Sequence, residues 1–242
     1  MSARLYVTPL SNPSKAAIAM VAYKQLPHTV VTLTSGFHPY LVRAARFQGR
    51  TVPALRLDDG RRVQGSLAIS RTLDELIAER PLFPADPGAR SAVEEAERWG
   101  NDELQAVPRR MFRYATVQDR SLRRWIAADV AKVPAPAIAA ALTKPLAARR
   151  SREVGGEEAI RADVARLPTL LDHVDALVAD AVIGAGHPNA ADFQVLSSVR
   201  ALLDFKALPD FEQRPGARAA RRLFPTWEGE MPYFDIPGAH PG

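Results

Sequence analysis

The chain has 242 residues, of which 47% are hydrophobic and 24% charged, a composition ordinary for a globular protein of one large or two smaller domains. It has no cysteine, which excludes disulfides, thiolate metal sites and cysteine nucleophiles. The formal net charge of +5 comes from arginines scattered among alanine and acidic residues, a pattern typical of solvated helix faces rather than of a nucleic-acid surface. No apolar run approaches the ~20 residues that span a membrane, and the N-terminus lacks a signal-peptide layout. We therefore expect a cytoplasmic protein with no membrane partner.

Strand and helix patterns alternate through residues 1–80. Strand patterns cover residues 3–8, 28–33, 54–57 and 62–64, and helix patterns cover residues 14–26, 39–47 and 66–79. A helix between the first two strands makes them parallel, whereas the turn at Asp58-Asp59-Gly60 makes the last two antiparallel. The order predicts an α/β domain with a mixed four-stranded sheet.

Residues 51–70 suggest a ligand-binding ledge. Pro53 is expected at a strand entrance, because proline is excluded from central strands, and it is a candidate for a cis bond that turns the preceding backbone toward a ligand. Ser66 opens an apolar helix, which it can cap while leaving free N–H groups for an anion. Together these features predict a small carboxylate-binding ledge beside an exposed strand edge.

The rest of the chain reads as helical. Residues 80–88 hold three prolines and form a stiff linker. The helix patterns that follow cover residues 88–117, 119–132, 156–180, 189–205 and 209–224, with one short helix inside 133–156. Pro108 is expected to kink the first of these helices, and Pro168 to interrupt the one at 156–180.

Three short motifs carry a family resemblance. They are Val52-Pro53, the segment Gly65 to Ile69, and Asn189 with Asp192, which are spaced like a capping box. In this order they resemble the glutathione S-transferase family, in particular its bacterial Ser-type members, over residues 4 to about 205. The resemblance implies a thioredoxin-like glutathione-binding domain at 1–80, a linker at 81–88, an all-α bundle at 89–224, a Pro/Gly-rich tail at 225–242, and a homodimer.

In this family the reactive group lies between the first strand and the first helix. Ser11 matches the P-x-S-x-x-x-Lys/Arg pattern of Ser-type members, so the resemblance implies that its hydroxyl donates to glutathione thiolate and lowers the thiol pKa. Ser14 is the alternative, since it stands at the second cysteine position of a thioredoxin motif and is also a natural helix N-cap. Both serines can equally be plain turn or cap residues, because the sequence SNPS is turn chemistry.

The resemblance supplies further ligand-binding positions. The backbone of Val52, beside Pro53, is expected to pair with the cysteinyl part of glutathione. Ser66 is expected to hold the γ-glutamyl carboxylate, and Arg50 to meet the glycyl carboxylate. With no cysteine, Cys-type members and disulfide reductases are excluded.

One position departs from the family pattern. Family members usually carry Glu or Asp before the helix-opening serine, whereas this chain has Gly65 preceded by Gln64, two positions that the resemblance places in the glutathione-binding site. A different low-molecular-weight thiol, or no thiol, therefore remains an alternative. The resemblance places the electrophile pocket at Arg109, Met111, Phe112 and Tyr114.

The leading hypothesis is a transferase that conjugates glutathione, or a similar thiol, to a small electrophile, with glutathione as co-substrate. No metal is expected, because the five histidines (28, 38, 173, 187 and 240) show no metal-ligand spacing. The alternative is a glutathione S-transferase fold used as a binding or interaction module without turnover. A nucleic-acid-associated protein is a third class, for which the sequence carries no motif.

Overall fold

The computed structural model describes residues 1–34, 37–152, 155–227 and 231–239. Within it the chain forms two compact units. Unit 1 comprises Met1–Gln105 and Leu177–Ser198, and unit 2 comprises Ala106–Ala176 and Val199–Gly242. The domain boundaries drawn from the sequence stay predictions. Across the described ranges, no helix combines the length and apolar character needed to cross a membrane.

Unit 1 is built on a four-stranded mixed sheet, as predicted. Its strands are β1 (Ala3–Val7), β2 (His28–Thr32), β3 (Ala54–Leu57) and β4 (Arg62–Gln64), in the order β2-β1-β3-β4. The β1–β2 pair is parallel, and β3 is antiparallel to both β1 and β4. Tyr6 pairs with Ala54, and Ala54 with Gln64. This register brings the end of β1, the start of β3 and the end of β4 to one edge of the sheet.

Four helices and the first part of a fifth accompany the sheet in unit 1. They are α1 (Asn12–Tyr23), α2 (His38–Ala44), α3 (Ser66–Leu76), α4 (Pro87–Trp99) and residues up to Ser198 of α10 (Ala190–Leu202). The core is apolar and closed: Leu5, Leu55, Met20, Ile69 and Phe193 are each at most 2% exposed. A π-helical turn, Gly100–Leu104, continues α4, and Gly100 allows close packing, because a Cβ there would lie 2.8 Å from Cγ2 of Val195.

A buried lysine fixes the end of α1. The Lys24 side chain has no exposed surface, and its ammonium group donates to the carbonyl oxygens of Ile77, Glu79 and Arg80 at 2.5, 3.0 and 3.1 Å. The carboxylate of Asp74 lies 3.3 Å away and supplies the counter-charge. This cation therefore joins α1 to the chain that leaves α3.

The predicted capping box at the start of α10 is confirmed. The backbone N–H of Asn189 donates to Asp192 at 2.9 Å, and the backbone N–H of Asp192 donates to the Asn189 side chain at 3.1 Å. Asp192 also accepts from the backbone of Gly184 at 2.6 Å. Burial nevertheless raises the pKa of Asp192 to about 6 against the lowering effect of these two backbone donors.

Unit 2 is helical. Its helices are α5 (Ala106–Gln118), α6 (Arg120–Trp125, extended by a π-helical turn Ile126–Val130), α7 (Pro136–Leu142), α8 (Lys144–Arg152), α9 (Gly156–Ala179, through Ala176) and α11 (Pro215–Leu223). Of the predicted tail, residues 231–239 have no regular structure, yet Phe234 and Ile236 are buried. Residues 228–230 and 240–242, including His240, lie outside the described residues.

Four helix predictions are wrong in detail. The helix expected at 88–117 is two helices, and Pro108 lies in the first turn of α5, where a missing N–H costs little. Pro168 does not interrupt α9, because it lies at an exposed position, where water can bond the carbonyl oxygen that loses its N–H donor, while its neighbours Leu167 and Leu171 are buried. Residues 133–156 form two helices rather than one, and the last helix begins at Pro215 rather than near residue 209.

Candidate functional site

One edge of the unit 1 sheet collects the predicted thiol-site residues. The loop to α1 leaves from the end of β1, Pro53 precedes β3, and α3 starts directly after β4. The backbone N–H of Gly65 donates to the carbonyl of Pro53 at 2.9 Å, which joins the last two segments. We call this edge, with Ser11, Val52, Pro53 and Ser66, the loop edge.

Ser11 is the N-cap of α1, and Ser14 is not. The Ser11 hydroxyl oxygen accepts from the backbone N–H of Ser14 at 3.4 Å, and Asn12 begins the helix. The prediction that Ser14 caps the helix is therefore wrong: the helix starts two residues earlier than its apolar periodicity indicates, because Pro13 suits the first turn. Ser14 is 1% exposed, and its hydroxyl has no hydrogen-bond partner among the described residues. Ser11 is half-buried.

The Val52–Pro53 bond is cis, as predicted. Val52 is half-buried, and Arg50 is exposed. The Gln64 side chain lies under this loop: its amide oxygen accepts from the backbone of Gly49 at 2.6 Å, and its amide nitrogen donates to the carbonyl of Thr51 at 3.1 Å. Gln64 thus braces the loop with both ends of its amide.

Gly65, not Ser66, is the N-cap residue of α3. Its backbone has φ of 89° and ψ of 146°, a region that side chains other than glycine rarely occupy, although a Cβ would meet nothing within 4 Å. A residue with a side chain, such as the Glu or Asp of the family pattern, would be strained at this φ. Ser66 is the first residue of the helix and is 3% exposed, so the expected side-chain cap is absent, and the first-turn N–H groups have no intrahelical acceptor.

A buried carboxylate supports the first turn of α3. The Ser70 hydroxyl lies 2.6 Å from Glu97 and 2.8 Å from the carbonyl oxygen of Leu67, while Arg71 forms an ion pair with Glu97. Glu97 is 1% exposed, and this burial raises the pKa of its carboxyl group against the lowering effect of Ser70 and Arg71. The network links α3 to α4 directly behind the helix start that carries Ser66.

Sequence reasoning missed a second polar network, beneath the start of α1. The side-chain amide of Asn12 donates to the Ser198 hydroxyl at 2.8 Å and lies 3.4 Å from the carbonyl oxygen of Gln105. Gln194 donates to the Gln105 side chain at 2.7 Å. A signal was present in the sequence: α10 is apolar on most sides but carries Gln194, Ser197 and Ser198 at helical spacing.

The predicted electrophile residues lie on α5 in unit 2. Arg109 is exposed, Met111 has no exposed surface, and Phe112 and Tyr114 are half-buried. The Tyr114 hydroxyl lies 3.2 Å from Glu157, and burial first, then this carboxylate, raises the pKa of Tyr114.

Only Tyr114 of these four lines a cavity of about 490 Å³ in unit 2. Its other walls come from the end of α5, from Arg161, and from the segment at residues 234–238. Full burial assigns Met111 to the core of its unit.

Among residues 1–34, 37–152, 155–227 and 231–239, no group of three or more His, Cys, Asp or Glu side chains is placed to hold a metal ion.

Comparison with known proteins agrees with this architecture. Residues 5–81 match the family described as "Glutathione S-transferase, N-terminal domain". A glutathione S-transferase from Rhodospirillum rubrum superposes with a TM-score of 0.64 at 18% sequence identity, covering 96% of each chain. No curated protein sequence matches the chain.

Two further solved structures have the same fold. The beta-etherase LigF from a Sphingobium species gives a TM-score of 0.62 at 17% identity, over 93% of this chain and 99% of its own. A glutathione S-transferase from Methylobacterium radiotolerans in complex with glutathione sulfonate gives 0.58 at 19% identity, over 98% of this chain and 97% of its own. At these identities the likeness establishes the fold.

Proposed function

We propose that this chain, which has the glutathione S-transferase fold and that family's N-terminal domain at residues 5–81, activates glutathione or a similar low-molecular-weight thiol for attack on a small electrophile. One observation carries the proposal. Ser11, the residue type and position of a Ser-type site, caps α1 at the sheet edge that also holds the Val52–Pro53 loop and the start of α3.

The Ser11 hydroxyl can still donate a hydrogen bond to a thiolate. Its oxygen accepts the backbone N–H of Ser14, which leaves the hydroxyl hydrogen to point at a ligand. A donor to the thiolate, together with the positive end of the α1 dipole, favours the ionised sulfur and lowers the thiol pKa. The sulfur then forms a bond to the electrophilic carbon, and a leaving group departs with its electron pair or the product takes a proton from water. The serine itself forms no covalent bond.

The rest of the ligand has matching partners along the loop edge. The Val52 backbone is available for antiparallel pairing with the cysteinyl unit. Ser66 and the free N–H groups of α3 suit the γ-glutamyl carboxylate, and the exposed Arg50 suits the glycyl carboxylate. Gln64 acts as a brace for the loop rather than as a direct ligand contact.

The electrophile pocket stays a prediction. Arg109, Phe112 and Tyr114 keep accessible surface and remain the candidates, whereas Met111 is committed to packing. A homodimer and a cytoplasmic location are also kept as proposals. Light scattering tests the first, since a mass near the 26.4 kDa of one chain at micromolar concentration would count against a dimer.

The test is a calorimetric titration with glutathione followed by an assay with an activated aryl halide. We expect saturable binding and conjugation, binding weakened by Ser66→Ala, and conjugation slowed by Ser11→Ala with binding retained. Binding without turnover would favour the alternative of a binding module. Absence of binding by glutathione would refute the glutathione assignment and direct the search to other thiols.

A further inference from the structure

The start of α1 is held by more than its N-cap. Asn12, the first residue of the helix, is 4% exposed, and its side-chain amide bonds Ser198 at 2.8 Å. Ser198 lies on α10, 186 positions along the chain, and Gln105, whose carbonyl oxygen is 3.4 Å from the same amide, lies 93 positions away. Long-range side-chain bonds of this kind fix a helix end in space, which a local cap does not do.

The face of α10 below α1 is polar where an apolar face would be cheaper. Gln194, Ser197 and Ser198 are each at most 1% exposed, in a helix whose other buried residues are mainly apolar. Burying such groups costs free energy that only their hydrogen bonds recover. Hydrogen bonds between buried polar groups also specify one arrangement of their members, whereas apolar surfaces can slide. The amide nitrogen of Gln194 makes such a bond, while its amide oxygen has no partner among the described residues. The buried polar face therefore costs free energy, but its hydrogen bonds fix the positions of the groups that they join.

Ser11 is the residue whose position depends on this network. The loop before it turns through a left-handed residue, Leu10, with φ of 59°. Its own cap bond to Ser14 is long, at 3.4 Å. Asn12 is covalently next to Ser11 and carries the shorter, buried bond, so it sets where the Ser11 hydroxyl and the first N–H groups of α1 lie.

We propose that Asn12 is a positioning residue that holds the Ser11 hydroxyl and the α1 N-terminus at the thiol sulfur by anchoring them to Ser198 and Gln105. The inference rests on the proposed function for its chemical consequence, but the anchor itself is a property of the unliganded protein. Asn12 touches no ligand in this account and acts through Ser11.

The experiment compares Asn12→Ala and Ser198→Ala with wild type, and uses Asn189→Ala as the matched control. Asn189 caps α10 in the same unit, so its loss lowers stability without touching α1. Amide hydrogen exchange of residues 14–17 is measured without ligand. The pKa of bound glutathione is read from thiolate ultraviolet absorbance, and affinity is measured with S-methylglutathione, which has no ionisable sulfur.

For Asn12→Ala we expect exchange at residues 14–17 to accelerate about three- to tenfold, the range that one lost hydrogen bond gives. The pKa of the bound thiol should rise by about 0.5 to 1, kcat should fall about three- to tenfold, and S-methylglutathione affinity should stay unchanged. Because Asn12 and Ser198 act through one bond, the double variant should be no worse than either single variant.

If Asn12→Ala shows the same amide exchange rates at residues 14–17 and the same bound-thiol pKa as wild type, the proposal is overturned. An equal rise of thiol pKa in Asn189→Ala would also overturn it, because general loosening would then explain the effect. If wild type fails to bind glutathione, the proposed function falls, and the exchange rates alone decide for or against the anchor.

Discussion

The two serines at the start of α1 should behave in opposite ways when each is replaced by alanine. Ser11 provides the cap, through a 3.4 Å bond from the Ser14 backbone. Ser14 is 1% exposed with an unsatisfied hydroxyl. A lost cap typically costs ~0.5–2 kcal/mol, and the long bond puts Ser11→Ala at the low end, about 0.5–1 kcal/mol. Removing an unpartnered buried hydroxyl inside a helix should instead stabilise the fold, by about 1 kcal/mol.

Thermal unfolding followed by circular dichroism separates the pair. For a chain of this size about 1 kcal/mol moves Tm by about 2–4 °C, so Ser14→Ala should melt higher and Ser11→Ala lower than wild type. Both variants are compared with wild type under identical buffer and scan rate, and only the differences in Tm are interpreted.

Activity should separate the pair again. Losing a donor to an anion typically costs ~1.5–3 kcal/mol, so Ser11→Ala should lower kcat/KM roughly ten- to a hundredfold and raise the pKa of the bound thiol. Ser14→Ala should change neither. Destabilisation by Ser14→Ala with Ser11→Ala neutral would mean that α1 starts at Ser14. If Ser14→Ala alone lost activity, Ser14 rather than Ser11 would be the donor to the thiolate.

Three further predictions concern the stability effects of a buried lysine, a buried carboxylate and a glycine with positive φ. Lys24→Met should cost about 3 kcal/mol in urea unfolding, because three carbonyl oxygens lose their donor and Asp74 keeps only the Leu82 N–H, and a loss below about 1 kcal/mol would contradict the buried-cation geometry. Asp192 has its pKa raised to about 6, so the native state binds the extra proton between pH 4 and 6 and stability falls as pH rises through that range. The stability of wild type relative to Asp192→Asn should therefore drop by up to about 3 kcal/mol from pH 4 to 7, and a rise would refute it. Gly65→Ala should cost about 1–2 kcal/mol from its positive φ alone, and an unchanged Tm would show that the turn tolerates a side chain.

The sheet and the capping box were readable from sequence because local rules determine them. Strand periodicity, the turn at Asp58-Asp59-Gly60 and the Asn189–Asp192 spacing each involve residues close together in the chain. The cis bond before Pro53 was predicted from its position at a strand entrance and from the family resemblance.

Helix ends in unit 2 and the bracing of the loop edge depend on distant partners. Pro168 was expected to interrupt a helix, but it lies at an exposed position between buried leucines, and α9 continues through it. Gln64 looked like a ligand contact, yet its amide is used by Gly49 and Thr51, which a linear pattern does not reveal.

The buried bond from Asn12 to Ser198 crosses 186 positions and had only an indirect sign in the polar face of α10. Gly65 departs from the family pattern, and this departure was visible in the sequence. Only the structure shows that its backbone angle suits glycine.

We expect the loop edge to bind glutathione as its thiolate. The most direct measurement is the ultraviolet difference spectrum of wild type mixed with glutathione across pH, with Ser11→Ala alongside. We predict thiolate absorbance that saturates with glutathione, with an apparent pKa clearly below that of the free thiol in wild type and shifted back toward it in Ser11→Ala. Bound glutathione that titrates like free glutathione, or no bound glutathione at all, would contradict a thiolate site at the loop edge.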